Sequence, residues 1–391
     1  MKRRKAAFVC FPLAVMVALM FAGCTGTMPV EEEGGLTLIG AGGEVTERAE
    51  VTPAQRAYHN ATEFYRVREI GKAIENYEKA IRLDSGMVDA YYGLGRIYLV
   101  ETQEFDKSLQ MYEAARDLAP DDPYSHSSLA YAHFVVGRYQ DSIEAYVKAI
   151  ELDPAGADTY LNLGYAYEKM QMDLAALSAY RRALELTPTD PRPVQALAQI
   201  YYRAELYDQA IGAFERLRGL GVTSQHTLST LGYLYMKVGK YTKAESLFRG
   251  VLNDNPDDVA CRTNLASVCR AMEDYDAAVR EFEVLVQQQP NDPSYLAGLA
   301  DAYNDAGRYT EGISTARKVL SLSPGDGGAY VTWAKSLEKM GKYEDAIAKL
   351  ELAKSDPNWR AHAIKEIERQ RQLIEIATQN RLRDIWDKGD N

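Results

Sequence analysis

The sequence predicts an all-α protein, a solenoid of about nine stacked helical hairpins closed by a longer C-terminal helix, and three observations predict it. A signature recurs every 34 residues from about residue 54 to about residue 360, and a period of that size marks a repeat architecture. One position of the signature holds only small residues: Ala73, Ser108, Ser142, Ala176, Ala210, Ala244, Ala278, Gly312 and Ala346. Four residues on, one helical turn later and on the same face, stand Tyr77, Tyr112, Tyr146, Tyr180, Phe214, Phe248 and Phe282.

The fullest copy is the stretch 225 to 256. Leu231, Gly232 and Tyr235 lie at helical spacing, Gly239 and Tyr241 mark a break, and Ala244, Phe248 and Pro256 follow, which predicts two short helices and a turn. The position of Gly232 is Ala61, Gly95, Ala130, Gly164, Ala198, Ala266, Ala300 and Ala334 in the other copies, small enough for two helix backbones to cross closely. With the closing Pro120, Pro154, Pro188, Pro256, Pro290 and Pro324, this pattern resembles the tetratricopeptide repeat family over roughly 54 to 360. The resemblance implies a right-handed α-α solenoid. The chain departs from the family pattern at an extra residue near Glu101 to Glu104, at Asp173, at Ser85 and Val222 in place of proline, and at Ala316 and Leu350 in place of the aromatic.

The expected organisation is a leader at 1–23, a tether at 24–52, nine repeats at 53–358, and a capping helix with a tail at 359–391. The leader has Lys2, Arg3, Arg4 and Lys5 before an uncharged run from Ala6 to Gly23, too short to span a bilayer and interrupted by Pro12, so it reads as an export signal. Phe21-Ala22-Gly23-Cys24 resembles the lipobox of bacterial lipoproteins, with Phe21 in place of the usual leucine, which implies lipidation at Cys24. An uncleaved anchor and a soluble secreted form are the alternatives. By resemblance to lipoprotein sorting, Thr25 favours the outer membrane, with the chain facing the periplasm.

The tether is rich in Gly with an acidic run, and its composition cannot bury a core. Thr52-Pro53-Ala54-Gln55 then supplies an N-cap, a proline in the first turn and a glutamine to close a capping box, so the folded part begins there. Helices of about 13 residues follow, punctuated by Gly137, Gly239, Gly307, Gly341 and the prolines. One hairpin cannot cover its own apolar face, and stacking makes the core continuous. From Trp359 to about Trp386 a longer helix carries Ile364, Ile367, Ile374, Ala377 and Ile385 on one stripe, as a cap for the stack or as a docking helix.

The formal charge is −11, and −15 without the leader, with no basic cluster, which argues against nucleic acid. Of four cysteines, Cys10 lies in the leader and Cys24 at the lipid position; Cys261 and Cys269 are too far apart on one helix for a disulfide, and Cys269 falls at a core position. The five histidines are scattered, without HExxH, and there is no GxSxG or Walker loop. The expectation is no enzyme, no metal, no cofactor and no small-molecule substrate.

The family resemblance implies that the first helix of each repeat lines a concave channel. Carried over to this chain, the channel offers Tyr92, Arg96, Tyr124, Tyr131, Phe134, Tyr165, Lys169, Tyr202, Arg203 and Tyr233, with Tyr58 and Tyr65 at its start. Repeats seven to nine offer smaller polar residues there, including Arg270, Asp301, Asn304, Lys335 and Glu338. The 27 tyrosines exceed what the core motif needs, and a rigid ring with a hydroxyl suits peptide recognition. They either line a ligand groove or pack between repeats. The chaperone-tail clamp of some family members is not matched, since the fifth and ninth positions read Tyr58 and Thr62, then Tyr92 and Arg96. The expected function is a lipid-anchored scaffold holding protein or peptide partners in assembly of an envelope complex, such as pilus, secretion or cell-wall machinery. A glycan-binding accessory of exopolysaccharide export is the alternative.

Overall fold

The computed structural model describes residues 51 to 389, with side chains to residue 380, so the leader, Cys24 and nearly all of the expected tether lie outside the described residues. Among the described residues every regular element is an α-helix. They fall into two compact units, Met1–Leu197 and Ala198–Asn391. The first holds α1 (Pro53–Arg66), α2 (Ile70–Leu83), α3 (Val88–Val100), α4 (Phe105–Leu118), α5 (Pro123–Val135), α6 (Tyr139–Leu152), α7 (Ala157–Lys169), α8 (Asp173–Leu186) and the start of α9 (Pro191–Arg203). The second holds the rest of α9, then α10 (Tyr207–Gly219), α11 (Gln225–Lys237), α12 (Tyr241–Asp254), α13 (Val259–Ala271), α14 (Tyr275–Gln288), α15 (Pro293–Asp305), α16 (Tyr309–Leu322), α17 (Gly327–Lys339), α18 (Tyr343–Ala353) and α19 (Arg360–Gly389).

Helix starts follow from capping chemistry. The Thr52 hydroxyl accepts from Gln55 N (3.1 Å) and the Gln55 amide oxygen accepts from Thr52 N (2.9 Å), the reciprocal box the sequence predicts. Asp122, Asp258, Asp292 and Asp326 accept amide protons at the starts of α5, α13, α15 and α17, each such cap contributing about 1 kcal/mol.

Within each hairpin the first helix ends in a left-handed residue. Gly137 N donates to the Phe134 carbonyl (3.1 Å) and Arg138 N to the His133 carbonyl (2.9 Å), which satisfies two carbonyls at the helix end. Gly239, Gly307 and Gly341 repeat this, with φ of 74° to 75°. The equivalent residues elsewhere are Arg68, Gln103, Gln171, Glu205 and Glu273, with φ of 56° to 64°, where a side chain costs about 1–2 kcal/mol relative to right-handed backbone. The extra residue of the second repeat is absorbed here, in a four-residue turn between α3 and α4.

The small and aromatic positions form the spine of both units. Tyr146, Tyr180, Phe214 and Phe248 are completely buried, as are Ala176, Ala210 and Ala244 before them. A Cβ at Gly164 would lie 2.3 Å from the Tyr180 ring, and one at Gly232 would lie 2.8 Å from the Phe248 ring, so these glycines are needed for the close approach. Gly312 takes the small position in the eighth repeat because a Cβ there would meet Asn304 Oδ1 at 2.5 Å. Of the serines at this position, Ser108 donates to the Gly95 carbonyl (2.8 Å), whereas the Ser142 hydroxyl is buried without a partner.

First helices of neighbouring repeats touch one another: α5 meets α7 in the first unit, and α11 meets α13 and α15 meets α17 in the second. They therefore crowd along an inner side within each unit. The long α19 covers the end of the second unit, packing Ala363 and Ile367 against Ala334, Leu337, Ala346, Leu350 and Ala353. This corrects the expected stripe. Ile364 is 45% exposed, and the packed face runs through Ala363, Ile367 and Gln370, which the anchor point on α17 and α18 selects. The side chain of Ile385 lies outside the described residues.

Candidate functional site

The tyrosines divide by position. Those four residues after the small residue are core. A second set recurs at the other end of the first helices: buried Tyr98, Tyr235 and Tyr303 donate to Glu78 (3.3 Å), Glu215 (2.6 Å) and Glu283 (2.7 Å), in each case a glutamate on the second helix of the preceding repeat. Their rings are covered by Lys107 at 5.2 Å, Lys243 at 5.1 Å and Arg308 at 4.5 Å from the ring centre. Burial and the glutamate together push Tyr235 and Tyr303 up to about 12. These tyrosines staple one repeat to the next. Sequence reasoning missed them, although the 20-residue spacing from Glu to Tyr, repeated three times, was a signal.

The third set is the expected inner wall. In the first unit Tyr92 is half-buried, donates to Asp122 Oδ2 (2.9 Å) and meets Tyr124 edge-on at 4.8 Å. Tyr124 is 49% exposed, and Tyr131 packs half-buried beside Tyr92 and Leu129. Arg96 lies with its guanidinium 4.7 Å above the ring of Tyr65. The Tyr65 hydroxyl donates to Glu101 (3.1 Å), and the Tyr58 ring lies tilted against that of Tyr77 at 5.8 Å. Thus Tyr58 and Tyr65 on α1, Tyr92 and Arg96 on α3, and Tyr124 and Tyr131 on α5 come together along three successive first helices.

The other expected residues stand apart from that cluster. Phe134 rests on Tyr139 at 5.6 Å, and Tyr165 rests edge-on against Tyr180 at 5.5 Å, where burial pushes its hydroxyl up to about 12. Lys169 is exposed. Tyr202, Arg203 and Tyr233 belong to the second unit, where Tyr202 and Tyr233 pair at 6.2 Å, Lys237 sits 5.1 Å over Tyr233, and Arg203 is exposed.

The inner side of repeats seven to nine is a ladder of matched polar groups. Arg270 reaches Asp305 Oδ2 (2.6 Å) and Lys335 reaches Asp305 Oδ1 (2.9 Å). Thr332 donates to Asp301 (2.9 Å), Asn304 donates to the Thr332 carbonyl (2.9 Å), and the Ser336 hydroxyl donates to Asn304. Burial opposes ionisation of Asp305, but hydrogen bonds from Lys335 and Arg270 outweigh it and hold the carboxyl below its ordinary value. Glu338 is engaged at 2.6 Å by Gln370 of α19, and by Arg369.

Cys261 and Cys269 are both buried and free, with burial pushing the thiols up to about 12 and about 11, so they pack as apolar groups. Among the described residues no cluster of His, Cys, Asp and Glu could hold a metal ion, and no helix is long and apolar enough to cross a membrane.

Tetratricopeptide repeat models match residues 58–123, 157–190 and 235–302, a further TPR repeat model matches 136–171, and a model of anaphase-promoting complex, cyclosome, subunit 3 matches 274–353. No curated protein matches the sequence. Similar solved structures include a tetratricopeptide repeat protein from Parabacteroides merdae, at 22% identity over 63% of this chain and 98% of that one, with a TM-score of 0.41. PilW, titled a widely conserved type IV pilus biogenesis factor, is similar at 19% identity over 55% of this chain and 97% of its own, with a TM-score of 0.45. MamA is similar at 23% identity over 41% of this chain and 94% of its own, with a TM-score of 0.39.

Proposed function

We propose that this chain of tetratricopeptide repeats is a non-catalytic protein-interaction scaffold that takes an extended peptide segment of its partner along the first helices of repeats one to three. The observation that supports this reading is the cluster of Tyr58, Tyr65, Tyr92, Tyr124 and Tyr131 around Arg96. Half-buried rings contribute apolar contact area with little conformational entropy left to lose on binding. The inner side of repeats seven to nine is matched within itself and offers less to a ligand.

The scaffold is lipid-anchored through Cys24, faces the periplasm, more readily from the outer than the inner membrane, and serves assembly of an envelope complex. The basic start, the short apolar run and Phe21-Ala22-Gly23-Cys24 support the anchor. Intact-mass measurement tests it, with a mature chain beginning at acylated Cys24 expected and an unprocessed Met1 refuting it. A pull-down from detergent-solubilised envelope tests the scaffold: wild type retains a stoichiometric protein, and Tyr124→Ala, at an exposed position, loses it at an unchanged melting temperature. Retention on a polysaccharide column with no protein captured would instead establish the glycan accessory.

A further inference from the structure

Arg96 differs from the other half-buried arginines of the chain. Arg192 is paired with Asp158 and Asp190 (both 2.7 Å), Arg262 with Glu281 (2.6 Å) and Arg270 with Asp305 (2.6 Å). Arg96 has no ion-pair partner among the described residues; its Nε, like that of Arg262, is buried without a hydrogen-bond acceptor, but Arg262 has Glu281 on its Nη1 and Arg96 has no carboxylate. Its one strong neighbour is the Tyr65 ring, 4.7 Å from the guanidinium carbon. Of the carboxylates around the cluster, Asp89 is exposed and makes no ion pair with Arg96, and two others are engaged elsewhere. Glu101 accepts from Arg68 (2.6 Å) and Tyr65 (3.1 Å), and Asp122 accepts from Tyr92 (2.9 Å) and from Tyr124 N (2.9 Å). A partly desolvated cation with no counter-ion disfavours the folded state, so it marks a place where a ligand supplies the missing charge.

We propose that Arg96 anchors an internal Asp or Glu side chain of the bound peptide, whose apolar flanking residues lie on the rings of Tyr65, Tyr92 and Tyr124. This rests on the peptide-scaffold reading above and names the chemistry of its partner. The guanidinium presents a planar fork of donors that a carboxylate can meet in two places. The ring surface continues on both sides of the charge, through Tyr58 and Tyr65 on α1 and through Tyr124 and Tyr131 on α5. A chain that runs past Arg96 in both directions covers all of it, whereas a chain ending at a terminal carboxylate covers half. The hydroxyls of Tyr65 and Tyr92 are occupied by Glu101 and Asp122, so the surface these rings leave beside Arg96 and Tyr124 is apolar and offers few free donors.

The test selects random peptides displayed with both ends fused, and hence without a free carboxylate, on the full chain and on its Arg96→Met variant. Wild type is expected to enrich one acidic residue at a fixed position between apolar neighbours, and Arg96→Met is expected to lose that preference. In solution, replacing the acid by its amide in a selected peptide is expected to weaken binding to wild type about tenfold and to leave binding to Arg96→Met unchanged. Arg96→Met is expected to melt close to wild type, because no native ion pair is lost and the thioether keeps a contact with the Tyr65 ring. A wild-type pool with no acidic preference overturns the anchor and leaves the scaffold reading standing, and so does an acid preference that survives Arg96→Met. A pool that stays empty both with fused ends and when the peptides are displayed with a free C-terminus overturns both. Binding confined to peptides with a free C-terminus overturns the internal-acid proposal alone.

Discussion

The inner sides of repeats one to three and of repeats seven to nine occupy the same place in the repeat and have opposite chemistry. On the first, Arg96 lies over Tyr65 without a carboxylate, among rings that are half-buried or exposed. On the second, Arg270, Asp305, Lys335, Thr332, Asp301, Asn304 and Ser336 satisfy one another across successive first helices. The spine behind them is built alike, a small residue four before a buried apolar one, which is aromatic in repeats one to three and seven and is Ala316 and Leu350 in repeats eight and nine. The lesson is that the repeat separates its tasks: positions facing the second helix hold the stack, and positions facing inward are left to vary between self-pairing and the unmatched rings and cation proposed above to take a ligand.

The comparison breaks first if the spines are not equivalent. Tyr180→Ala in the first unit and Phe248→Ala in the second, both at buried side chains, should each cost about 3–5 kcal/mol in chemical denaturation. A cost below about 1 kcal/mol in either would mean that its unit is held by something else. Next, Asp305→Asn should cost about 1–2 kcal/mol, reduced from the buried-pair range because Arg270 and Lys335 are partly exposed. Tyr124→Ala should cost under about 0.5 kcal/mol, since that ring is half exposed.

A smaller pair of effects sharpens the account of the spine. Ser142→Ala should gain about 1 kcal/mol by removing a buried hydroxyl without a partner, and Ser108→Ala should lose about the same by removing the donor to Gly95. Both are read as shifts of the denaturation midpoint at constant slope.

The smallest effect is a difference in acid response. Burial holds the pKa of His133 below 6.5, although Asp141 pulls the other way. The unfolded chain therefore takes up the proton first, and the first unit loses stability as pH falls from about 6.5 through the folded value. For Asp305 the carboxyl is depressed below 3.8, so its contribution is full above that pH and is lost only as pH falls through the folded value. Hydrogen exchange across pH 7 to 5 should loosen α5 before α15, and His133→Leu should flatten the response of α5.

Much of the fold was legible because its determinants are local. Ala244 and Phe248 are four residues apart on one helix, and their recurrence every 34 residues announces the hairpin, the turn and the stack. The capping box at Thr52 was legible for the same reason. The turns were read at Gly137, Gly239, Gly307 and Gly341, but the same left-handed backbone at Arg68, Gln103, Gln171, Glu205 and Glu273 carries no glycine. Packing of the two helices imposes that conformation against the residue's own preference. The stripe on α19 was misread because several faces of that helix carry isoleucine, and the underlying Leu337 and Leu350 select the one through Ile367.

The sequence by itself determined the all-α class, the repeat period and the spine, because short-range spacing on a helix sets which side chains share a face. Only the tertiary structure decided which tyrosines staple repeats and which surround Arg96. It also decided that Arg270 finds Asp305 at 2.6 Å while Arg96 finds no acid. Those outcomes depend on partners 20 to 35 residues away in the chain, brought within hydrogen-bond distance only when one hairpin has stacked on the next.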